Sequence, residues 1–372
     1  MTETTIAPGR APAARHGVFH PLRVAAVSPL TTESVAITFD VPEELRDAYA
    51  FTAGQHLTVR LEIEGVEVRR NYSICASATT GPLRVAVKRL DGGAFSAYAT
   101  EVLRPGDVVD VMTPTGRFFT PGDPALGRRY CAVAAGSGIT PVISIVATVL
   151  ETEPESSVTL IYGNRTTGSV MFLDELADLK DRFPTRFRLI HVLSREQQEV
   201  ELFSGRIDAA KLRLLMQDLV GPDSVDDWFL CGPFAMVEEA RAVLLDAGVD
   251  PRRVHVELFH VEGETPREAS SAPDGTPLEG SSSVTVLLDG RSSTFDLPRG
   301  GQRILDAALE VRRDAPYACK GGVCGTCRAR LVEGEVSMDR HWALEQDEID
   351  SGFVLACQST PVSDRVVLDF DQ

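Results

Sequence analysis

Three of the seven cysteines fall in one nine-residue stretch, Cys319-Lys-Gly-Gly-Val-Cys324-Gly-Thr-Cys327, and Cys357 follows after 29 intervening positions. This CxxxxCxxC…C spacing is that of a plant-type 2Fe-2S cluster. Soft thiolates suit iron–sulfur chemistry, and Gly321, Gly322, Gly325 and Thr326 are small enough for a loop that turns its N–H groups toward cluster sulfurs. Two other uses of cysteine compete. A structural zinc site pairs its ligands as CxxC twice, and this stretch holds one such pair. A disulfide framework prefers an even count and a secretory leader, neither of which the sequence displays.

Two further groups of residues have types and spacing that suit nucleotide cofactors. Arg70-Asn-Tyr72-Ser73 can supply a guanidinium for a pyrophosphate, a ring to stack on a flavin and a hydroxyl near the ring nitrogens. Lys88 precedes the turn Gly92-Gly93-Ala94-Phe95-Ser96, whose amides can open a helix onto phosphate. Later, Gly136-Ser-Gly138-Ile-Thr140-Pro141 follows an apolar run and precedes a helical one, the arrangement that brings backbone close to a dinucleotide pyrophosphate. Arg165 and Ser194-Arg195 can bind the extra 2′-phosphate of NADPH, although an exposed arginine is commonly only solvated and NADH stays open. Each group alone also has a structural explanation: a strand tyrosine packs a core, a Gly-Gly pair makes a turn, and Cys231 fits a buried strand end.

The elements that must position these residues follow from periodicity. Short alternating or β-branched runs at 22–27, 34–39, 56–63, 70–75, 83–89 and 107–112 predict an antiparallel β-barrel over 18–124. Strands at 130–134, 158–162, 187–193 and 228–231 alternate with helices at 142–150, 172–182, 209–219 and 234–247, which predicts a Rossmann-like α/β domain with a parallel sheet over 125–260. Residues 261–282 carry Glu, Pro, Gly and Ser with few large apolar residues and read as a flexible acidic linker. A hairpin at 283–297, a helix at 304–312, the cysteine loop and strands at 328–333 and 366–370 predict a β-grasp ferredoxin domain over 283–372. Residues 1–17 read as a flexible N-terminus. The acidic run 345–350 is either a solvated helix face or a docking surface, and His191, His255 and His260 lack ligand spacing.

Composition excludes other classes. The formal net charge of −17 opposes a grip on nucleic acid, which needs a basic surface. Residues 130–150 contain no Asp, Glu, Lys or Arg, but the Gly136–Pro141 turn divides them into a strand and a helix, against membrane insertion. With no secretory pattern and unpaired cysteines, a cytoplasmic location is expected.

In order and spacing these motifs resemble the ferredoxin–NADP reductase superfamily. The sequence of flavin barrel, nucleotide domain and C-terminal ferredoxin is similar to reductase components of bacterial multicomponent oxygenases, and within them to the phenylacetyl-CoA epoxidase group, through FHPLRV, RRNYSICAS, YGNRTTGSVMF, APYACKGGVCGTCRARLVEGEVSMD and VLACQSTPVSDRVVLDF. The resemblance implies FAD held by Arg70, Tyr72, Ser73, Lys88, Gly93, Ala94, Phe95 and Ser96. It implies a nicotinamide cofactor, NADPH by preference, held by Gly136, Gly138, Thr140, Pro141 and the Cys231-Gly232-Pro233 motif, with Arg165, Ser194 and Arg195 beside them. The cluster ligands would be Cys319, Cys324, Cys327 and Cys357. Ser73, Cys231 and Glu257 are the candidate catalytic residues, and Glu257 or Phe259 would border the flavin, because the chain runs past the place where plant members end on an aromatic. The implied activity is NADPH oxidation with electrons passed by FAD and the 2Fe-2S cluster to di-iron oxygenase subunits. A different oxygenase, a desaturase or a hybrid-cluster protein is the alternative acceptor, and a redox-sensing or docking module the alternative role.

Overall fold

The structure, a computed structural model, describes residues 18–119, 125, 127–259 and 280–372. The stretches read above as a flexible terminus and most of the acidic linker, with His260, lie outside the described residues.

Strands β1 (Phe19–Thr31), β2 (Ser34–Asp40), β3 (His56–Ile63), β4 (Val66–Ser73), β5 (Arg84–Lys88) and β6 (Val108–Met112) form one antiparallel sheet in the order β4-β3-β6-β1-β2-β5, with helix α1 (Ala94–Glu101) after β5. Ile74 bridges to Val85 and the Cys75 N–H reaches the Arg84 carbonyl at 2.9 Å, so the chain leaving β4 meets β5 and closes the sheet into a barrel. Leu22, Ile37, Leu57, Val85 and Val111 fill it. β4 starts at Val66, four residues before the strand read from the sequence, because Glu64 and Gly65 both take positive φ (52° and 79°) and make a two-residue hairpin with β3.

The next sheet is parallel throughout, β7 (Arg129–Ala135), β8 (Ser157–Asn164), β9 (Phe187–Leu193), β10 (Asp227–Gly232) and β11 (Val254–Leu258) in the order β11-β10-β7-β8-β9. Crossovers run through α2 (Ile139–Thr152), α3 (Leu173–Arg182), α4 (Ala209–Asp218) and α5 (Phe234–Asp246). The chain turns outward in opposite directions from β7 and β10, and the crevice at such a reversal is where open α/β sheets bind ligands.

Helix α2 explains the charge-free run. It lies between the parallel sheet and the barrel, and one continuous apolar cluster joins its Val142, Ile145 and Val149 to Ala53, Cys75, Ala86 and Phe118 of the barrel and to Tyr130, Leu160 and Phe229 of the sheet. Covered on two sides, the helix carries no charge until Glu151 in its last turn, which accepts from the hydroxyls of Ser77, Thr79 and Thr80. Among the described residues no helix is long and apolar enough to cross a membrane.

The C-terminal part has its own core. β12 (Ser281–Leu288), β13 (Arg291–Pro298), β14 (Arg328–Glu333), β16 (Phe353–Leu355) and β18 (Arg365–Asp369) form a mixed sheet in the order β13-β12-β18-β14-β16, crossed by α6 (Ile304–Val311). β15 (Val336–Met338) and β17 (Ser359–Pro361) pair separately, and α7 is Gln346–Asp350.

Candidate functional site

An open cavity is lined from all three parts: Arg70, Ser73 and Arg117 from the barrel, His255, Glu257 and Phe259 from the parallel sheet's last strand and its exit, and Cys319, Cys324 and Trp342 from the cysteine-bearing part. The sequence had predicted each group within its own domain. The structure brings them to one opening.

On the barrel side, β4 presents alternate residues to other parts of the chain, as the twofold period of a strand requires. Glu67 accepts a hydrogen bond from Tyr317 Oη (3.3 Å), and the Arg69 guanidinium lies 4.1 Å from the Tyr317 ring centre. Asn71 Nδ2 donates to Thr326 Oγ1 (3.2 Å), and Ser73 Oγ donates to Glu257 Oε2 (3.0 Å). Tyr72 points the other way, its ring 5.3 Å from Phe95 of α1. Gly93 caps α1 without a side-chain cap, and Ser96 Oγ donates to the Gly93 carbonyl at 3.0 Å. The first-turn amides at Ala94, Phe95 and Ser96 therefore have no side-chain cap and suit a phosphate. An unengaged helix start, a half-buried Tyr72 and the Arg70 guanidinium at the cavity fit a flavin dinucleotide.

Ser73, Cys231 and Glu257 come together. Cys231 and Glu257 are register partners on β10 and β11. Desolvation pushes the Glu257 carboxyl up to about 8, with the Ser73 hydroxyl opposing the shift. Burial also holds the Cys231 thiol well above its usual range, reinforced by Glu257. Both groups are thus neutral near pH 7.

At the switch of the parallel sheet, Gly136 to Gly138 form a 3-10 turn between β7 and α2, and Tyr162 Oη donates to the Gly136 carbonyl at 2.9 Å. A Cβ on Gly138 would stand 2.1 Å from the Cys231 carbonyl oxygen, so this turn and the Cys231-Gly232-Pro233 segment touch backbone to backbone. Thr140 Oγ1 donates to the Ser137 carbonyl at 3.0 Å and Pro141 is buried in the first turn of α2. Neither α2 nor α5, which starts just after Pro233, has a side-chain cap, so two helix starts converge where a dinucleotide pyrophosphate would sit.

Lys88, a cofactor-binding candidate from sequence, ends β5. Its Nζ lies 3.9 Å from where a Gly136 Cβ would be. Burial lowers the ammonium's pKa, Glu33 opposes this and Arg165 adds to it. Lys88 thus faces the nucleotide turn. Arg165 and Arg195 are exposed neighbours at the ends of β8 and β9, joined by the Arg195 N–H to the Arg165 carbonyl (2.8 Å), with Ser194 held by the Asn164 carbonyl (2.9 Å). These three do not line the cavity.

In the cysteine loop, Lys320, Gly322 and Gly325 take positive φ (54°, 80° and 67°), which winds the chain around its own sulfurs. The thiols influence one another in two pairs, Cys319 with Cys324 and Cys327 with Cys357. The Cys324 thiol and the N–H groups of Gly321, Val323 and Cys324 hold the Cys319 thiol down at about 6. Two thiol pairs, one half-exposed at the cavity and one buried, fit two irons with two protein thiolates each. Gln358 Nε2 braces the loop at the Lys320 carbonyl (2.8 Å) and the Cys357 carbonyl (3.0 Å).

Several residues at the opening were not singled out from sequence. Asn71 stood inside the Arg70–Ser73 motif as a spacer, and the period of two could have flagged Glu67, Arg69, Asn71 and Ser73 as one face. Glu348 is the acidic-run residue that turns inward, paired with Arg328 Nε at 2.9 Å and with Arg117 of the barrel. The run is neither wholly solvated nor wholly free: its buried member is a contact within the chain.

Three family models match in the same order. They are an oxidoreductase FAD-binding domain at residues 21–119, an oxidoreductase NAD-binding domain at 132–242 and a 2Fe-2S iron-sulfur cluster binding domain at 286–362. The chain is 46% identical over 354 residues to a component of the 1,2-phenylacetyl-CoA epoxidase of Escherichia coli (strain K12), covering 95% of this chain and 98% of that protein. It is 34% identical, over 94% of this chain and 96% of the relative, to the ferredoxin reductase component of 3-ketosteroid-9-alpha-monooxygenase of Rhodococcus rhodochrous. Among solved structures, phthalate dioxygenase reductase superposes with a TM-score of 0.58 at 23% identity, over 95% of this chain and 98% of that one.

Proposed function

Because the chain belongs to the ferredoxin–NADP reductase-like family of flavin and iron–sulfur oxygenase reductases, we propose that it oxidises NADPH and delivers single electrons to a di-iron oxygenase, that of phenylacetyl-CoA epoxidation in particular. The observation that carries the reading is one opening lined by Arg70 and Ser73 of the flavin motif, by Glu257 and Phe259 at the end of the parallel sheet and by Cys319 and Cys324 of the cysteine loop. When bound, a flavin takes up the two electrons of a hydride and returns them singly, and a 2Fe-2S cluster carries one at a time.

The protein's part is positioning and dielectric. The Gly136–Gly138 turn and the starts of α2 and α5 hold the dinucleotide phosphates, and Cys231 sets the depth of the nicotinamide. Tyr72 would cover a bound flavin, Arg70 and the amides of Gly93 to Ser96 would hold its phosphates, and Ser73 fixes the Glu257 carboxyl that would border the ring. Protonated below about pH 8, Glu257 can donate through Oε1 while Oε2 accepts from Ser73. Lys88, Arg165 and Arg195 form a cationic approach suited to a 2′-phosphate. The modules 18–124, 125–260 and 283–372 act as flavin, nucleotide and cluster units.

The 46% identity to an epoxidase component supports the partner. The experiment is anaerobic reduction of the purified protein by NADPH or NADH, watching flavin and cluster bands, followed by reoxidation with candidate oxygenases. Acceleration by a phenylacetyl-CoA epoxidase is expected. Equal rates with unrelated oxygenases would refute the partner, and no flavin reduction by either nicotinamide would refute the activity.

A further inference from the structure

Asn71 joins the barrel to the cluster loop, and its amide is oriented from two other sides. The Thr58 hydroxyl, fully buried, donates to Asn71 Oδ1 at 2.8 Å. Asn71 Nδ2 lies 3.1 Å from His56 Nε2 and 3.2 Å from Thr326 Oγ1. His56 is buried, and desolvation holds its imidazole down at about 4, so it is neutral at physiological pH. Its Nε2 is the acceptor that the Thr115 hydroxyl also reaches, at 3.2 Å. With Oδ1 committed to Thr58, both N–H bonds of the amide are spent, one on His56 and one on Thr326.

Thr326 Oγ1 therefore receives an N–H from the barrel, and its own proton remains to be placed. Cys324 Sγ stands 3.2 Å away. As a free thiol Cys324 donates to Thr326 Oγ1; as a metal-bound thiolate it would have no proton to give, and the hydrogen bond would then run from the Thr326 hydroxyl to the sulfur. Such donors favour the more negative, reduced form of a cluster, because hydrogen bonds to the sulfurs are among the factors that set its potential.

We propose that docking on the barrel raises the reduction potential of the cluster, because Asn71 turns the Thr326 hydroxyl into a committed donor to the Cys324 ligand. The flavin loses one electron, the cluster gains one, and no proton leaves the relay. A partner that draws the cluster unit off β4 removes the Asn71 N–H, frees the Thr326 rotor and makes the electron easier to give up. Docking thus sets direction: uptake is favoured beside the flavin, release away from it. Asn71 is a positioning residue, touching neither substrate nor ligand sulfur. The inference rests on the proposed cluster ligation.

The test is an EPR-monitored redox titration of the full-length holoprotein as wild type, Asn71→Ala, Thr326→Val, Thr326→Ser and the Asn71→Ala/Thr326→Val double variant. Asn71→Ala should lower the cluster potential enough to reduce the flavin-to-cluster equilibrium constant up to about tenfold, which for one electron is about 59 mV. Thr326→Val should lower it at least as far, the double variant no further, and Thr326→Ser should match wild type. The flavin potential should stay put throughout. An unchanged cluster potential in Asn71→Ala, or additive shifts in the double variant, overturns the relay. Should Thr326→Val not hold a cluster, Asn71→Ala alone decides. Should the barrel not tolerate alanine, Asn71→Asp keeps the shape, offers Thr326 an acceptor and must also lower the potential. Wild-type protein lacking iron and cluster absorption would instead refute the ligation itself.

Discussion

Replacing Glu257 with glutamine should stabilise the protein, and more so as pH rises. The native carboxyl sits at about 8 against an ordinary 4.5, chiefly from desolvation. A raised native pKa means that the folded state binds the proton more tightly than the unfolded one, so stability is greatest below about pH 4.5 and falls until the pH passes about 8. At about 1.4 kcal/mol per unit, the loss between pH 5.5 and 8.5 would reach about 3 kcal/mol. Glu257 is half-buried and opens onto the cavity, where solvent screens it, so about 2 kcal/mol is the reasonable figure. Glutamine keeps the shape and accepts the Ser73 hydroxyl, but has nothing to ionise. The assay is thermal unfolding of both proteins at pH 5.5 and 8.5. The gap in Tm in favour of Glu257→Gln should widen by about 4–8 °C at the higher pH, at about 2–4 °C per kcal/mol for a unit of this size. A gap equal at both pH values would refute the buried-proton argument.

Two further outcomes follow from the nucleotide side. Arg195→Ala should raise KM for NADPH about tenfold and leave that for NADH nearly unchanged in steady-state assays, since about 1.4 kcal/mol is a modest value for a lost charge-assisted contact; equal losses would remove the 2′-phosphate assignment. Gly138→Ala, whose methyl would fall 2.1 Å from the Cys231 carbonyl oxygen, must push the turn off the β10 end. Nicotinamide binding measured by titration should fall at least tenfold while cluster absorption is retained, and unaltered binding would mean that the two segments do not form the site together.

The parts of this fold that were legible in the sequence are local. The Cys319–Cys327 triplet, the Gly136–Pro141 turn and the period of each strand or helix are all written within about ten residues. What escaped is long-range or too short to have a period. β15, β16 and β17 are three residues each, below the length at which alternation can be read. Lys88 ends β5, and the nearness of its ammonium to Gly136 comes from the packing of barrel on sheet, which no local pattern encodes. Glu348 lies in a run of acids that looks uniformly solvated, yet the five-residue α7 turns this one toward Arg328, whose guanidinium also lies 3.4 Å from the Phe353 ring centre. Charge patterning does not encode that inward turn.

The two junctions in the molecule differ in physical kind, and the difference bears on how electrons leave. Between barrel and parallel sheet the junction is apolar and continuous through α2, whose buried valines and isoleucines contribute roughly 1.5–3 kcal/mol each. Separating those parts would expose a core. Between the cluster unit and the rest, the described contacts are largely polar: Asn71 to Thr326, Glu67 and Arg69 to Tyr317, and Arg117 to Glu348, with Phe234 against Trp342 (5.3 Å) and Val323 on the edge of the nucleotide core. Hydrogen bonds and exposed ion pairs of this sort contribute about 1 kcal/mol or less apiece, and water can replace them. The Arg117 side chain is 64% exposed, so its pair with Glu348 weakens with salt. Flavin and nicotinamide sites are therefore held in fixed relation, as hydride transfer over a short distance requires, while the cluster is held by contacts that an acidic or basic partner surface can outcompete. On the proposed function, the hydride step would lie across the apolar junction and the single-electron step across the polar one.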